Sequence, residues 1–259
     1  MTSLFIPGDI LLPGAVDMSL WSVIACDQYT AQPDYWDSVG ERVGDAPSAL
    51  RLILPEAYLR TKDAAAETDR INRTMEDYLS GGLFETCEDS YIYLERELSA
   101  GGTRRGLLGL IDLEAYDYRA NSVSPVHATE GTVESRLPPR VKIREAAGLE
   151  LPHIVVFIDD PENMVLGDLS IGDALYDFAL MDGGGRVRGA RVCGEKARRV
   201  QAALERLASP GQLAKRYGKS PKHPVILAVG DGNHSLAAAR FCWERLRETL
   251  TPEERKTHP

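Results

Sequence analysis

The chain has 259 residues, 43% hydrophobic and 27% charged, enough to bury a sizeable core in one large domain or two modest ones. A formal net charge of −9 argues against general nucleic-acid binding, because an acidic surface repels a phosphate backbone; it still allows one local pocket for a nucleotide. Cys26, Cys87, Cys193 and Cys242 are far apart and form no C-x-x-C pair, which argues against a zinc site or disulfide framework and for reduced thiols in the cytoplasm.

The first residues, Met1 to Asp9, lack a basic region, and Pro7 and Asp9 interrupt their apolar run, so they do not read as a signal peptide. No segment is long and apolar enough to span a bilayer. Residues 4–16 read as extended, punctuated by Pro7-Gly8 and Pro13-Gly14. The apolar run Trp21 to Cys26 predicts a buried strand, and Pro33 opens a helix through about Val39. Arg51 to Leu54 is a further apolar stretch, with Pro55 ending it or opening a helix. Lys62 to Leu79 predicts the clearest helix of this half, with Ile71, Met75, Tyr78 and Leu79 on one face and Gly81-Gly82 as its stop.

Tyr91 to Leu98 and Leu107 to Leu113, separated by Ala100-Gly101-Gly102-Thr103, predict a β-hairpin. Ile154 to Ile158 is a β-branched run ending in Asp159-Asp160, typical of a buried strand. Tyr176 to Leu180 and Val187 to Val192 flank Gly183-Gly184-Gly185 and predict a second hairpin. Lys196 to Leu207 is amphipathic, with Val200, Ala203, Leu204 and Leu207 on one side. Val225 to Val229 predicts a strand and Leu236 to Leu250 a helix.

Alternating elements with several hairpins predict an α/β (α+β) fold with a mixed β-sheet and flanking helices. A soft boundary near Ala100 to Arg105 divides the chain into regions 1–100 and 101–259, unless it forms a single domain. The chain stops at Thr257-His258-Pro259 after a charged helix, which reads as a cut, with a C-terminal part missing.

The strongest candidate site is Gly230-Asp231-Gly232-Asn233-His234-Ser235, where a buried strand meets a tight glycine turn and a helix begins. The first amides of a helix lack internal partners and carry partial positive charge, so such an end binds phosphate. Gly230 and Gly232 let the backbone approach a ligand; Asp231 suits a divalent metal or a proton; Asn233, His234 and Ser235 suit phosphate oxygens. The plainer reading is an Asp-Gly turn with Asn233 or Ser235 capping the helix.

A second constellation runs from His127 through Glu130 and Thr132 to Arg136, Arg140, Lys142 and Arg144, the most basic stretch of an acidic chain. Arg and Lys near hydroxyls suit an anionic ligand, and Glu130 suits a general base if partly buried. The alternative is a solvated segment or helix with scattered charges. Three weaker candidates each have a plain structural reading. Cys26 to Pro33 reads as a polar loop, Asp159-Asp160 as a turn and Gly183 to Gly185 as hairpin flexibility, without the Lys-Ser/Thr of a P-loop.

These runs carry a resemblance. Trp21 to Trp36, Val43 to Pro55, Ala128-Thr-Glu-Gly-Thr-Val-Glu-Ser-Arg136, Leu151 to Asp160 and Gly230-Asp-Gly-Asn-His-Ser-Leu236 resemble an uncharacterised bacterial and archaeal family catalogued as domain of unknown function ten-fifteen. The resemblance spans the whole chain. Members of that family usually continue beyond the equivalent of Pro259. Related branches carry Asp-Gly-His-His-Arg where this chain has Asp231 to Ser235, a motif similar to one in free-serine kinases of the ParB/sulfiredoxin-type fold. Asp231, Gly232 and His234 match that pattern; Asn233 and Ser235 depart from it, and with Ser235 a phosphate-binding Arg is lost.

The likeness implies a strand–turn–helix that holds ATP or ADP with Mg²⁺, Asp231 being the metal contact. It implies transfer of phosphate to a small hydroxylated metabolite, with Asp231, His234 and Glu130 in catalytic roles and Thr132, Arg136 and Arg140 supplying ligand contacts. A nucleotide-binding regulatory module without transfer, and a metabolite hydrolase or lyase, are the competing readings. Homo-oligomers are compatible with either.

Overall fold

The strand expected around Tyr91 organises the fold. In the computed structural model, which describes residues 4–24, 29, 32–58, 63–119 and 121–258, it begins earlier than expected and runs as a 14-residue strand. The elements in order are β1 (Phe5–Ile6), β2 (Gly8–Pro13), α1 (Met18–Trp21), α2 (Pro33–Val43), α3 (Ala64–Ser80), β3 (Phe84–Glu97), β4 (Thr103–Leu108) and β5 (Leu110–Ile111). They continue with β6 (Val126–Ala128), α4 (Leu137–Arg144), β7 (Val155–Ile158), β8 (Tyr176–Ala179), β9 (Arg186–Val192) and α5 (Gly194–Leu207). The last are α6 (Pro210–Tyr217), β10 (Leu227–Asp231), α7 (Asn233–Thr249) and α8 (Pro252–Thr257).

The fold is mixed α+β, with the strands divided among three sheets. The largest runs β2-β3-β9-β8, with β4 also pairing β3. Both expected hairpins lie in it, β3 with β4 and β8 with β9, all antiparallel. The turn at residues 98–102, where a domain boundary was expected, joins two strands in continuous register. The expected second arm of that hairpin breaks at Gly109. Tyr91 and Phe5 crowd that position, and the chain continues as β5, paired with β1 in a sheet of its own. One face of the large sheet buries Tyr91, Tyr93 and Val192 against α5, where Val200, Leu204 and Leu207 of the apolar stripe read from the sequence are buried with Ala197, and Ala203 packs beside them.

α3 starts where the Asp63 carboxylate accepts from the amides of Ala65 and Ala66, and it ends at Gly81. Ile71 and Met75, four residues apart, bury against Leu52, whereas Leu79 points outward. One expectation fails in this half. The apolar run from Trp21 is not a strand: Trp21 closes α1, whose N-cap is Asp17, and residues 22–24 are irregular, while Cys26 lies outside the described residues. Arg51 and Leu52 end a 3-10 turn, Ala49–Leu52, entered through the buried Ser48, whose hydroxyl caps Leu50 and donates to Leu20 O.

The third sheet positions the candidate site. β10 lies at its centre, parallel to β6 and antiparallel to β7. Leu227 and Val229 face inward with Val126, packing under Leu236 and Ala237 of α7. Ala237, Ala238 and Ala239 are all buried, and their small side chains let α7 lie close to its neighbours. Burying Leu236 alone contributes about 2 kcal/mol. α4, the basic stretch of the sequence, packs beside α7.

Candidate functional site at the start of helix α7

β10 ends in Gly230-Asp231, and Gly232 turns the chain into α7 with φ of 79°, a left-handed conformation that favours glycine. A side chain at Gly232 would also press on Ile154. Asp231 Oδ1 accepts from the Gly232 amide at 2.6 Å, so this carboxylate braces the turn. Neither Asn233 nor Ser235 caps the helix: the N-cap is Gly232, and no side-chain cap is made. The plain reading of the turn as a capped helix start therefore does not hold. Leu236 N–H returns to Gly232 O as the first intrahelical bond, so the amides of Asn233, His234 and Ser235 form the positive end of a 17-residue helix.

Asn233, the first residue of α7, is only 9% exposed, and its Nδ2 has no hydrogen-bond partner among the described residues. A buried unsatisfied amide costs about 1–3 kcal/mol, a cost a ligand acceptor relieves.

The second segment from the sequence is tied to this turn at both ends. Thr129 donates to Val229 O twice, from its backbone amide at 2.9 Å and from its hydroxyl at 2.8 Å. Four residues on, the Val133 amide donates to His234 Nε2 at 3.1 Å. Residues 129–133 thus form a loop anchored to both β10 and α7. Beneath it, buried Tyr116 reaches Asn233 O at 3.5 Å, and burial pushes its phenol up to about 12.

The site residues named from sequence divide. Gly230, Asp231, Gly232, Asn233, His234 and Ser235 form the turn, and Thr132 lies in the loop anchored to it. Glu130 sits on the same loop but is exposed, without the partial burial expected of it as a base. Arg136 lies at the start of α4, and Arg140 donates to Arg136 O. Their guanidiniums are placed by α4, not by the turn. Tyr116, which supports Asn233 from below, was not singled out in the sequence; its only signal was its place in an aromatic pair with Tyr118.

The other sequence candidates resolve as structure. Asp160 accepts from the amides of Met164 and Val165, closing a turn, and Asp159 pairs with Arg216 and Tyr217. Residues 25–28 and 30–31 of the Cys26 segment lie outside the described residues. A cleft of about 590 Å³ elsewhere is bordered by Trp36, Leu50, Arg51, Tyr58 and Arg70. Arg51 there donates to Gly44 and Ala46 carbonyls and Arg70 pairs with Glu67, so its cations are already engaged. No cluster of three or more His, Cys, Asp or Glu side chains able to hold a metal occurs among the described residues, and no described helix is long and apolar enough to cross a membrane.

Comparison with known proteins gives a family. A family described as "Protein of unknown function (DUF1015)" matches residues 13–259. No curated protein and no solved structure matches the chain.

Proposed function

The chain belongs to the DUF1015 family, whose description assigns no activity, and from its geometry we propose that it binds a nucleotide, ATP or ADP with Mg²⁺, through its phosphates at the start of α7 and transfers a phosphoryl group to a small hydroxylated metabolite. One observation carries the reading: the first turn of α7 is uncapped while the buried Asn233 Nδ2 beside it has no partner. The amides of a helix start and this side-chain donor match what phosphate oxygens accept. The likeness of Asp231, Gly232 and His234 to the free-serine-kinase motif supports the same ligand.

Mg²⁺ in such sites is held by one or two carboxylates together with substrate phosphates, so Asp231 suffices as the protein ligand. In the transfer, the acceptor hydroxyl oxygen bonds to the terminal phosphorus, the bond to the bridging oxygen breaks, and the departing nucleotide keeps that electron pair. The hydroxyl proton passes to Asp231. Positioning and charge neutralisation account for most of such catalysis, which suits a site built of amides. His234 holds the loop in place, its Nε2 accepting from the Val133 amide.

Incubating the protein with Mg-ATP or Mg-ADP and a panel of hydroxylated metabolites tests transfer. A phosphorylated product that Asp231→Asn abolishes is expected. Nucleotide binding with no product from any acceptor would replace transfer with the regulatory reading, for which the loss of an Arg at Ser235 is the motive.

A further inference from the structure

One face of the sheet β6-β10-β7 packs under α7 through Val126, Leu227 and Val229. On the other face, register places His127, Ala228 and Phe157 in one row across the three strands. Val155 and Phe157, two residues apart, are 46% and 59% exposed, although both belong to an apolar β-branched and aromatic run. Phe157 lies against Gly230: a methyl group there would fall inside the aromatic ring. The pairing of β10 with β7 also shifts register at this point, between Val229 and Asp231. Bulges of this kind re-aim side chains beside functional sites.

The chain from Gly230 to Asn233 spans at most about 11 Å. An open aromatic ring therefore stands within the length of an extended nucleoside diphosphate from the donors at the start of α7. We propose that Phe157 is the platform on which the base of the nucleotide stacks, so that the ligand of this site is a nucleotide and not a bare phosphate ester. This rests on the reading that phosphates bind at α7. Gly230 has a reason in this arrangement, since any side chain there would displace the ring. Stacking on a flat aromatic tolerates different bases, so discrimination among bases is weak.

The test compares Mg-ADP with Mg-pyrophosphate, which carries the same phosphates without a base, in calorimetric titrations of wild type, Phe157→Ala and Phe157→Trp. Phe157 is exposed, so its truncation empties no core, and a thermal melt checks the fold of each variant. Phe157→Ala is expected to weaken Mg-ADP binding about 5- to 100-fold and leave Mg-pyrophosphate binding unchanged, while Phe157→Trp retains Mg-ADP affinity. Unchanged Mg-ADP affinity in Phe157→Ala would overturn the platform and leave Phe157 as a cover for Gly230, with phosphate binding intact. Equal loss of both ligands would also overturn it. Failure of either ligand to bind wild type would instead overturn the phosphate site on which the platform depends.

Discussion

The backbone amide of Val133 donates to Nε2 of His234 across 3.1 Å, joining residues 101 positions apart. Together with the two bonds from Thr129 to Val229 O, it fixes a five-residue loop over the first turn of α7. The motif histidine thus has a definite structural task, and the chemistry assigned to the turn falls on its amides, Asn233 and Asp231.

His234→Ala is expected to free the C-terminal end of that loop. Amide exchange at Val133 should speed up more than at Thr129, which keeps its partner Val229. The loss of one hydrogen bond costs about 1 kcal/mol in stability. Hydrogen exchange resolved by residue, with denaturant unfolding beside it, measures both; unchanged protection at Val133 would remove His234 from this role.

Asn233→Leu removes a buried amide nitrogen that lacks a partner and puts an apolar group of similar size in its place. The variant should be more stable than wild type without ligand, by about 1 kcal/mol, or roughly 2–4 °C in melting temperature. Sites kept for binding at the expense of stability respond in this way. A clear loss of stability would mean that Asn233 is a structural residue.

The two glycines of the turn should respond differently. Gly232→Ala forces a side chain into the left-handed region and against Ile154, costing about 1–2 kcal/mol or more. Gly230→Ala meets only the ring of Phe157, which is exposed and can swing aside, so its cost should stay below about 1 kcal/mol. Urea unfolding of both variants checks the order.

At the middle of α7, buried Arg240 donates to Leu113 O, to Glu114 and to Glu244, while Trp243 and Arg247 also donate to Glu114. Arg240→Met should cost about 2 kcal/mol, less than a fully buried pair because Glu114 is partly exposed.

Burial pushes the Glu114 carboxyl up, but the hydrogen bonds of Trp243 and Arg247 and the Arg240 charge outweigh it and hold the group below the usual carboxylate range. A carboxylate lowered in this way contributes stability above its unfolded pKa and loses it as pH falls through the folded value. Glu114→Gln should therefore be less stable than wild type at neutral pH, with the gap closing on acidification. A gap that does not vary with pH would contradict the assignment.

Much of this architecture was legible because its signals are local. The stripe Val200, Leu204, Leu207 gave α5, and the apolar run into Gly230-Asp231-Gly232 gave β10 and α7. The misreading at Trp21 follows from an apolar run too short to separate strand from helix, where the Asp17 cap was the better guide. The helix at Leu137–Arg144 was disguised by Pro138-Pro139, which occupy its first turn, where proline is tolerated. α6 was missed although Ser209, Pro210 and Gly218 mark its ends. β6 has only three residues, and what makes it a strand is its parallel partner β10, some 100 residues away. The same holds for the site. The turn was visible in the sequence, whereas the loop tied to His234, Tyr116 beneath Asn233 and Phe157 against Gly230 all depend on long-range pairing.

The most direct test of the central claim is calorimetric titration of Mg-ADP and Mg-ATP into the wild-type chain and into Asn233→Leu, with a thermal melt of each. The expected result is saturable binding at one site in wild type and its loss in a variant that remains folded. No binding to folded wild type, or equal affinity in Asn233→Leu, would contradict a phosphate site at the start of α7.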